Sequence, residues 1–197
     1  MNFEDEWHKT HPLDHWVYDK LLLSNALGYT CGPVGIDVPT PGQYIIRPVH
    51  NYMGMGRFSR IASLTRSTDH LHPGEFWCEV FKGPHFTVDF HNGVAELVVK
   101  GVRKEGDPLW KWSRWTRVNK KFKLPKILQD LHGKYEWINC EFIGDRLIEV
   151  HFRKNPDFRF GNKIAIPVWD GSEIKNKKSQ FHFVEDKDYH RRGFYIK

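Results

Sequence analysis

Short apolar segments separated by turn residues dominate the middle of this sequence. Residues 136–143, "EWINCEFI", and 146–152, "RLIEVHF", flank a Gly-Asp pair, which is the pattern of a two-residue β-hairpin. Three more segments, 75–81, 85–90 and 94–102, alternate or are rich in β-branched and aromatic residues, and the turn signals "KGP" and "HNG" separate them. The chain is therefore constrained to form antiparallel β-structure.

Other segments complete a coarse secondary structure. Residues 44–49, "YIIRPV", predict a strand, and 60–65, "RIASLT", predict a second strand that returns beside it, with glycines at the tip between them. Residues 16–27 predict a helix with Asp14 as its cap, and 124–133 predict another helix between proline and glycine signals. The predicted fold class is α+β, with mainly antiparallel sheets and few helices.

Size and composition limit the organisation of the chain. A length of 197 residues with 40% hydrophobic residues suits one compact unit or two small lobes. The three cysteines are scattered and none forms a C-x-x-C pair, which favours a reducing compartment. The start of the chain is acidic and aromatic, and no stretch approaches the length of a membrane span. We therefore expect a cytoplasmic protein without membrane contact.

The net charge of +6 is concentrated in residues 100–126, where ten Lys or Arg residues accompany two acids. Trp110, Trp112 and Trp115 are interleaved with these basic residues. Such a segment could bind single-stranded nucleic acid, with bases stacked on the rings and phosphates on neighbouring cations. The simpler interpretation is that the tryptophans pack in a core beneath a basic surface.

Four features in a fixed order resemble an ATP-grasp enzyme. They are a strand that ends in a cation, a glycine-containing loop, the segment "EVFKGPHFTVDF", and a late hairpin that ends in "LIEVHFR". The resemblance covers residues 18–155 and implies two lobes, residues 18–78 with the glycine loop and 79–197 with the metal site. Too few residues precede Val17 for the additional N-terminal domain that members of this family usually carry, so the chain resembles a short form.

The resemblance implies a set of residues that bind ATP. Arg47 would neutralise the phosphates in place of the more usual lysine, and a loop would close over them. Residues beside the adenine would follow in the segment that connects the lobes, and Lys20 marks the helix entry that precedes this region. The predicted nucleotide-binding residues are Lys20, Arg47, Asn51, Met53, Gly54, Met55, Gly56, Glu79, Val80, Phe81 and Lys82.

The resemblance also implies a magnesium site on the 136–152 hairpin, formed by Glu141, Glu149 and His151. Histidine replaces the asparagine that is usual at the last position, and it is a less usual magnesium ligand. A two-residue turn would direct the two glutamates to opposite faces unless a bulge re-aims one of them, whereas a three-residue turn would place both on one face. The sequence leaves the register open.

Guanidinium groups that would stabilise a transferred phosphoryl group are implied at Arg103, Arg153 and Arg159. The predicted function is an ATP- and magnesium-dependent ligase that activates a small-molecule or peptide carboxylate as an acyl phosphate for attack by an amine. The alternatives are nucleic-acid binding through residues 100–126 and nucleotide binding without catalysis. A histidine metal site around His70 and His72 lacks further ligands with a recognisable spacing. The sequence does not predict an oligomeric state.

Overall fold

The computed structural model describes residues 3–50, 56–173, 180–188 and 190–197. The helices in these ranges are α1 (Phe3–Lys9), α2 (Lys20–Ala26) and three 3-10 helices, Pro12–Tyr18, Lys126–Leu131 and Pro156–Phe158. The strands are β1 (Cys31–Pro33), β2 (Gly42–Pro48), β3 (Arg60–Leu64), β4 (Glu75–Glu79), β5 (His85–His91), β6 (Val94–Val102), β7 (Arg114–Arg117), β8 (Trp137–Ile143), β9 (Arg146–His151), β10 (Ile164–Trp169), β11 (His182–Asp188) and β12 (Arg191–Ile196). None of these helices is long and apolar enough to cross a membrane.

The strands form two sheets. A four-stranded sheet has the order β1-β4-β2-β3, and an eight-stranded sheet has the order β11-β12-β10-β7-β6-β5-β8-β9. All of the strand pairs are antiparallel. The predicted α+β class, with mainly antiparallel sheets and few helices, is confirmed.

In the eight-stranded sheet, strands β5 and β8 have one apolar face and one polar face, and the polar side gives way, farther along the sheet, to an apolar cluster that includes Val99, Trp115 and Phe194. Alternating residues on its central strands are buried on the apolar side, namely Phe86, Val88, Phe90, Ile138, Cys140 and Phe142. The helical segments cover this side through Val17, Leu23 and Leu128. Each large apolar side chain buried in this way stabilises the fold by about 1.5 to 3 kcal/mol. The opposite side of β5 carries Thr87 and Asp89, so that the polar face remains for a site.

The helix predicted over residues 16–27 is split in two. Asp19 has an extended backbone, and its carboxylate accepts a hydrogen bond of 2.8 Å from the Leu22 N–H. This cap starts a new helix at Lys20, as expected of an aspartate that satisfies a free N–H in a first helical turn. Gly28, with φ of +72°, follows the end of the helix as predicted.

Asp14 is not the helix cap that was predicted. Its carboxylate instead accepts a hydrogen bond of 2.8 Å from the Tyr135 hydroxyl and lies 3.2 Å from Lys134 Nζ. The predicted helix over 124–133 is the shorter 3-10 helix Lys126–Leu131. Asp14 therefore ties the start of the chain to the residues that follow this helix.

The strand predictions are largely confirmed, with one difference in pairing. Strands β2 and β3 form the predicted hairpin, and the predicted tip includes residues 51–55, which lie outside the described residues. Strand β4 pairs with β1 and β2 rather than with β5. Residues 80–84 therefore carry the chain from one sheet to the other instead of forming a hairpin turn.

Candidate functional site

The hairpin of β8 and β9 brings two carboxylates together. Its turn has two residues, Gly144 and Asp145, and Ile148 then bulges out of β9 as an extra residue. The bulge places Glu141 directly opposite Glu149. Because directly opposed residues share a face of the sheet, both side chains belong to the polar face. The register is thus the two-residue turn with a bulge, and not the three-residue turn.

Glu149 is the centre of a buried group of charges. Its Oε2 atom lies 3.4 Å from Lys20 Nζ and 3.3 Å from Arg47 Nη2. Its Oε1 atom lies 3.1 Å from His151 Nε2. Glu149 is 6% exposed and Lys20 is 1% exposed. Charges buried to this degree must compensate one another, because each alone would be costly to remove from water.

The pKa values reflect this mutual compensation. Burial alone would raise the pKa of Glu149, but Lys20, His151 and Arg47 hold it well below its ordinary value. Burial lowers the pKa of Lys20, and the nearby Glu149 carboxylate opposes that shift. The carboxylate is therefore ionised, and the cations around it neutralise it.

His151 links this group to the N-terminal helix. Its Nδ1 atom lies 3.4 Å from Glu6 Oε1, while its Nε2 atom faces Glu149. Glu6 also accepts hydrogen bonds from the Phe152 N–H, at 2.6 Å, and from Arg153 Nε, at 3.0 Å. Burial and Arg153 lower the pKa of His151, but its contacts with Glu149 and Glu6 outweigh them and raise it. Both ring nitrogens thus face carboxylates, and binding a metal through His151 would require one of these contacts to be given up.

A row of hydrogen-bonded polar residues continues across the same face. Asn139 donates to Thr87 Oγ1, at 2.8 Å, and to Asp89 Oδ1, at 2.7 Å. Asp89 also accepts a hydrogen bond of 3.0 Å from the Asn155 N–H. Burial raises the pKa of Asp89, and these hydrogen bonds oppose the shift. These hydrogen bonds hold the polar side chains next to the glutamate pair in fixed positions.

This face forms the floor of a cleft of about 880 Å³ between the two sheets, within the range that is typical of ligand sites. From the four-stranded sheet, the cleft is lined by Ile45, Arg47, Ile61 and Cys78. From the polar face of the eight-stranded sheet, it is lined by His85, Thr87, Asn139, Glu141, Glu149 and His151. Beyond these, an aromatic end is lined by Arg103, Leu109, Trp112, Trp115, Pro167 and Trp169.

The residues predicted beside the adenine fall into two groups. Val80 and Phe81 line the cleft. Glu79 is turned away, because its Oε1 atom accepts a hydrogen bond of 2.9 Å from the Thr30 N–H. In the described part of the chain, neither Glu79 nor Lys82 lines the cleft.

Only part of the predicted glycine loop can be placed. Gly56 lines the cleft, whereas Asn51, Met53, Gly54 and Met55 lie outside the described residues. Lys20 does not line the cleft in the described structure and acts on it through Glu149.

The three arginines predicted to stabilise phosphoryl transfer all line the cleft. Arg153 is held by Glu6, and Arg159 Nη2 lies 3.4 Å from Asp186 Oδ2. Arg103 differs from both, since it forms no ion pair with a carboxylate within the described ranges. All three predicted arginines thus line one cleft, but two of them pair with carboxylates and the third does not.

The aromatic end of the cleft was not predicted as part of this site. The rings of Trp112 and Trp115 lie 4.6 Å apart, and His85 contacts Trp112 at the same centroid distance. A Cβ atom on Gly101 would approach both tryptophan rings to within 2.8 Å, so glycine is required beneath them. The available sequence signal is the spacing of Gly101, near the end of β6, and Arg103, directly after that strand.

Of the cations in the predicted nucleic-acid segment, all of which the structure describes, Arg103 alone lines the cleft together with Trp112 and Trp115. Trp115 faces the cleft, and the adjacent exposed residue Arg114 points to the other side of the strand. Lys111 pairs with Asp107 at 3.5 Å, and the Trp110 ring packs against another tryptophan. Nucleic-acid binding by this segment stays a prediction.

Among the residues that the structure describes, no group of three or more His, Cys, Asp or Glu side chains is arranged to hold a metal ion. This includes the surroundings of His70 and His72. The glutamate pair, with oxygen ligands of the type that magnesium prefers, is the arrangement that remains for the predicted magnesium site.

No family model and no curated protein matches the sequence. Solved structures that the comparison matches to this chain include a protein from Archaeoglobus fulgidus that is assigned by name to the ATP-grasp superfamily, at 11% identity and a TM-score of 0.46, covering 92% of this chain and 64% of that one. The ATP-grasp ligase PsnB, complexed with a minimal precursor, has 14% identity and a TM-score of 0.40 over 71% of this chain and 52% of its own. An L-amino acid ligase from Bacillus licheniformis has 12% identity and a TM-score of 0.42 over 73% of this chain and 42% of its own. The chain thus spans 42% to 64% of the length of these neighbours, and two of them are ligases by name.

Proposed function

We propose that the protein is an ATP- and magnesium-dependent ligase that activates a carboxylate as an acyl phosphate for attack by an amine. The observation that carries the proposal is the meeting of opposite charges across one cleft. Arg47 comes from the four-stranded sheet, and the pair Glu141 and Glu149 comes from the eight-stranded sheet. A nucleoside triphosphate needs fixed cations for its phosphates and carboxylates for its metal ion.

The connection between the sheets suits the base of the nucleotide. Val80 and Phe81 line the cleft where the chain crosses from one sheet to the other. An apolar wall with nearby backbone N–H and C=O groups can bind a planar base and read its edge. Gly56, at the end of the predicted loop, lines the same cleft and would lie near the phosphates.

The glutamate pair fits a magnesium ion, with unequal roles for its members. Glu149 is buried and already neutralised by Lys20, Arg47 and His151. Glu141 is more exposed, at 30% of its side chain, and contacts His85 at 3.1 Å. Glu141 would therefore be the principal ligand, with Glu149 beside it. Magnesium bound here would supply neutralisation of the phosphate charge.

The proposed chemistry needs no nucleophile from the protein. An oxygen of the substrate carboxylate attacks the γ-phosphorus, the bond from phosphorus to the bridging oxygen breaks, and ADP leaves. The amine then attacks the acyl carbon, phosphate leaves with the bonding electrons, and the amine nitrogen loses a proton. Guanidinium groups at Arg103, Arg153 and Arg159 are the candidates to stabilise the negative charge of the transferred group.

A second candidate function is nucleotide binding without catalysis. The observation that favours it is the internal neutralisation of Glu149, which leaves less negative charge for a metal ion than two free carboxylates would. Trapping the acyl phosphate distinguishes the two functions, because hydroxylamine converts an acyl phosphate to a hydroxamate whatever the natural amine is.

The experiment supplies ATP, magnesium, hydroxylamine and a pool of amino acids, and measures hydroxamate and ADP together. We expect both products in equal amounts, and a loss of about 100-fold in Glu141→Gln. Glu136→Gln is the matched control, because Glu136, directly before β8, contacts His91 of β5 at 3.2 Å and does not line the cleft in the described structure. ATP binding without hydroxamate or ADP would contradict the ligase and leave the non-catalytic alternative.

A further inference from the structure

The arginines that line the cleft differ in whether the protein itself neutralises them. Four of the five lie close to a carboxylate: Arg47 (3.3 Å to Glu149), Arg153 (3.0 Å to Glu6), Arg159 (3.4 Å to Asp186) and Arg191 (3.6 Å to Asp157). Arg103 is the exception among the residues described. Its Nη1 atom donates to the Leu109 carbonyl at 3.4 Å, and no acid pairs with it there. A guanidinium in this state is available to an anion in the cleft.

The wall beside Arg103 is aromatic and firmly held. Trp169 Nε1 donates a hydrogen bond of 3.0 Å to the Trp112 carbonyl, which joins β10 to the segment before β7. Trp115 packs against Trp112 over Gly101, where no larger residue fits. Rigid rings of this kind offer a large apolar surface to a ligand at little entropic cost.

From these two features we infer that the aromatic end of the cleft binds an amphiphilic carboxylate, such as an amino acid with an aromatic or large aliphatic side chain. The carboxylate would pair with Arg103, and the apolar side chain would lie on the wall formed by Trp112, Trp115 and Trp169. The inference rests on the proposed function, for which it names the class of carboxylate that is activated. It assigns to Arg103 the binding of the substrate carboxylate, which becomes the acyl phosphate.

A single-stranded nucleic acid fits this end of the cleft less well. Its phosphates would need several cations beside the rings, whereas Arg114, the cation next to Trp115 in sequence, lies on the other side of the strand. A ligand with one carboxylate and one large apolar group matches this end of the cleft better, because Arg103 can pair with the carboxylate and the tryptophan wall can contact the apolar group.

The test is calorimetric titration of the full chain with L-phenylalanine, L-phenylalanine amide and L-alanine, with and without ADP and magnesium. The amide removes the carboxylate, and alanine removes the ring. In the wild type we expect phenylalanine to bind about tenfold more tightly than either analogue. Binding of all three with equal strength under both conditions would overturn the inference.

Two variants assign the two preferences to their residues. Arg103→Gln should abolish the preference for the acid over the amide and keep the preference for phenylalanine over alanine. Trp112→Leu should abolish the preference for phenylalanine over alanine and keep the preference for the acid over the amide. Trp137→Leu is the matched control, because that ring stacks on His91 at 4.2 Å and does not line the cleft in the described structure; it should keep both preferences.

The assignment of one preference to each residue would be wrong if Arg103→Gln and Trp112→Leu each lost both preferences, or if each kept both. ATP titrations of the same samples keep the two proposals distinguishable. Nucleotide binding without selection among the three ligands would defeat the inference alone, whereas selection without nucleotide binding would defeat the proposed function.

Discussion

The two ends of the cleft use charge in opposite ways. Around Glu149, a buried acid is surrounded by Lys20, Arg47 and His151, so that the protein itself satisfies each charge. At the aromatic end, Arg103 has no acidic partner within the described ranges and stands beside tryptophan rings. The comparison shows that charged residues in one cleft can have different roles. Charges that neutralise one another stabilise the fold, whereas a cation without an acidic partner is available to bind a ligand. Substitutions at the first end should therefore cost stability, and those at the second should cost affinity.

The largest expected effect is that of Glu149→Gln. It removes the shared counter-ion of Lys20 and Arg47, of which Lys20 is almost completely buried. We expect a loss of about 3 to 5 kcal/mol in the free energy of unfolding, measured by chemical denaturation. A loss below about 1 kcal/mol would mean that these cations do not depend on Glu149.

Glu6→Gln should have the next largest effect on stability. Glutamine can still accept a hydrogen bond from the Phe152 N–H, but it no longer carries the charge that pairs with Arg153 and His151. We expect a loss of about 2 kcal/mol in the same denaturation experiment. An unchanged unfolding midpoint would show that the N-terminal helix contributes nothing to the charged end.

Asp157 shows the opposite balance, because burial and two neighbouring acids outweigh the two cations around it. Burial, Asp186 and Asp188 raise the pKa of Asp157 to about 6, although Arg191 and Arg153 act to lower it. Between its ordinary value near 3.8 and this value, the unfolded chain has lost the proton that the folded chain keeps. The contribution of Asp157 to stability is therefore greatest below this range, and it falls as the pH rises through it.

Asp157→Asn should remove this dependence, an effect on the order of 1 to 2 kcal/mol between pH 4 and 7. Unfolding free energies of wild type and variant across that range test it. Parallel curves would contradict the raised pKa.

The smallest expected effect on stability is that of Arg103→Gln. Because Arg103 makes one long hydrogen bond to a carbonyl and no ion pair within the described residues, we expect a change within about 0.5 kcal/mol, in contrast to its effect on ligand selection. A loss as large as that of Glu6→Gln would place Arg103 in the fold and remove the contrast between the two ends.

The sequence predicted the strands of this fold well, because alternation and turn residues are local signals. Both arms of the β8–β9 hairpin follow from "INCEFIGDRLIEV", whereas the sequence left a two-residue and a three-residue turn open. The bulge at Ile148 does not follow from it, since nothing in the local pattern states which residue leaves the ladder. That single residue decides whether Glu141 and Glu149 share a face.

Contacts between residues that are far apart in the sequence could not be predicted either. The segment "EFWCEVF" predicted a strand, but the sheet that it joins is decided by its pairing with distant strands. Trp112 and Trp115 were interpreted either as stacking platforms or as core. The core interpretation is confirmed for Trp115, which is buried in an apolar cluster against which Trp112 packs, and both rings also line the cleft. Their position depends on Gly101 in a neighbouring strand, a contact that no local periodicity reveals.

The most direct test of the central claim, that this cleft binds ATP with magnesium on the glutamate pair, is thermal unfolding with ATP and magnesium together and separately. Glu141→Gln is the informative variant, because Glu141 is partly exposed and its removal should leave the fold intact, unlike that of Glu149. Ligand at 100 times its Kd should add about 2.7 kcal/mol, or several degrees in Tm, to the wild type and to Glu136→Gln. The account predicts that this rise requires magnesium and is largely lost in Glu141→Gln. No rise in the wild type, or an equal rise in all three proteins, would contradict it.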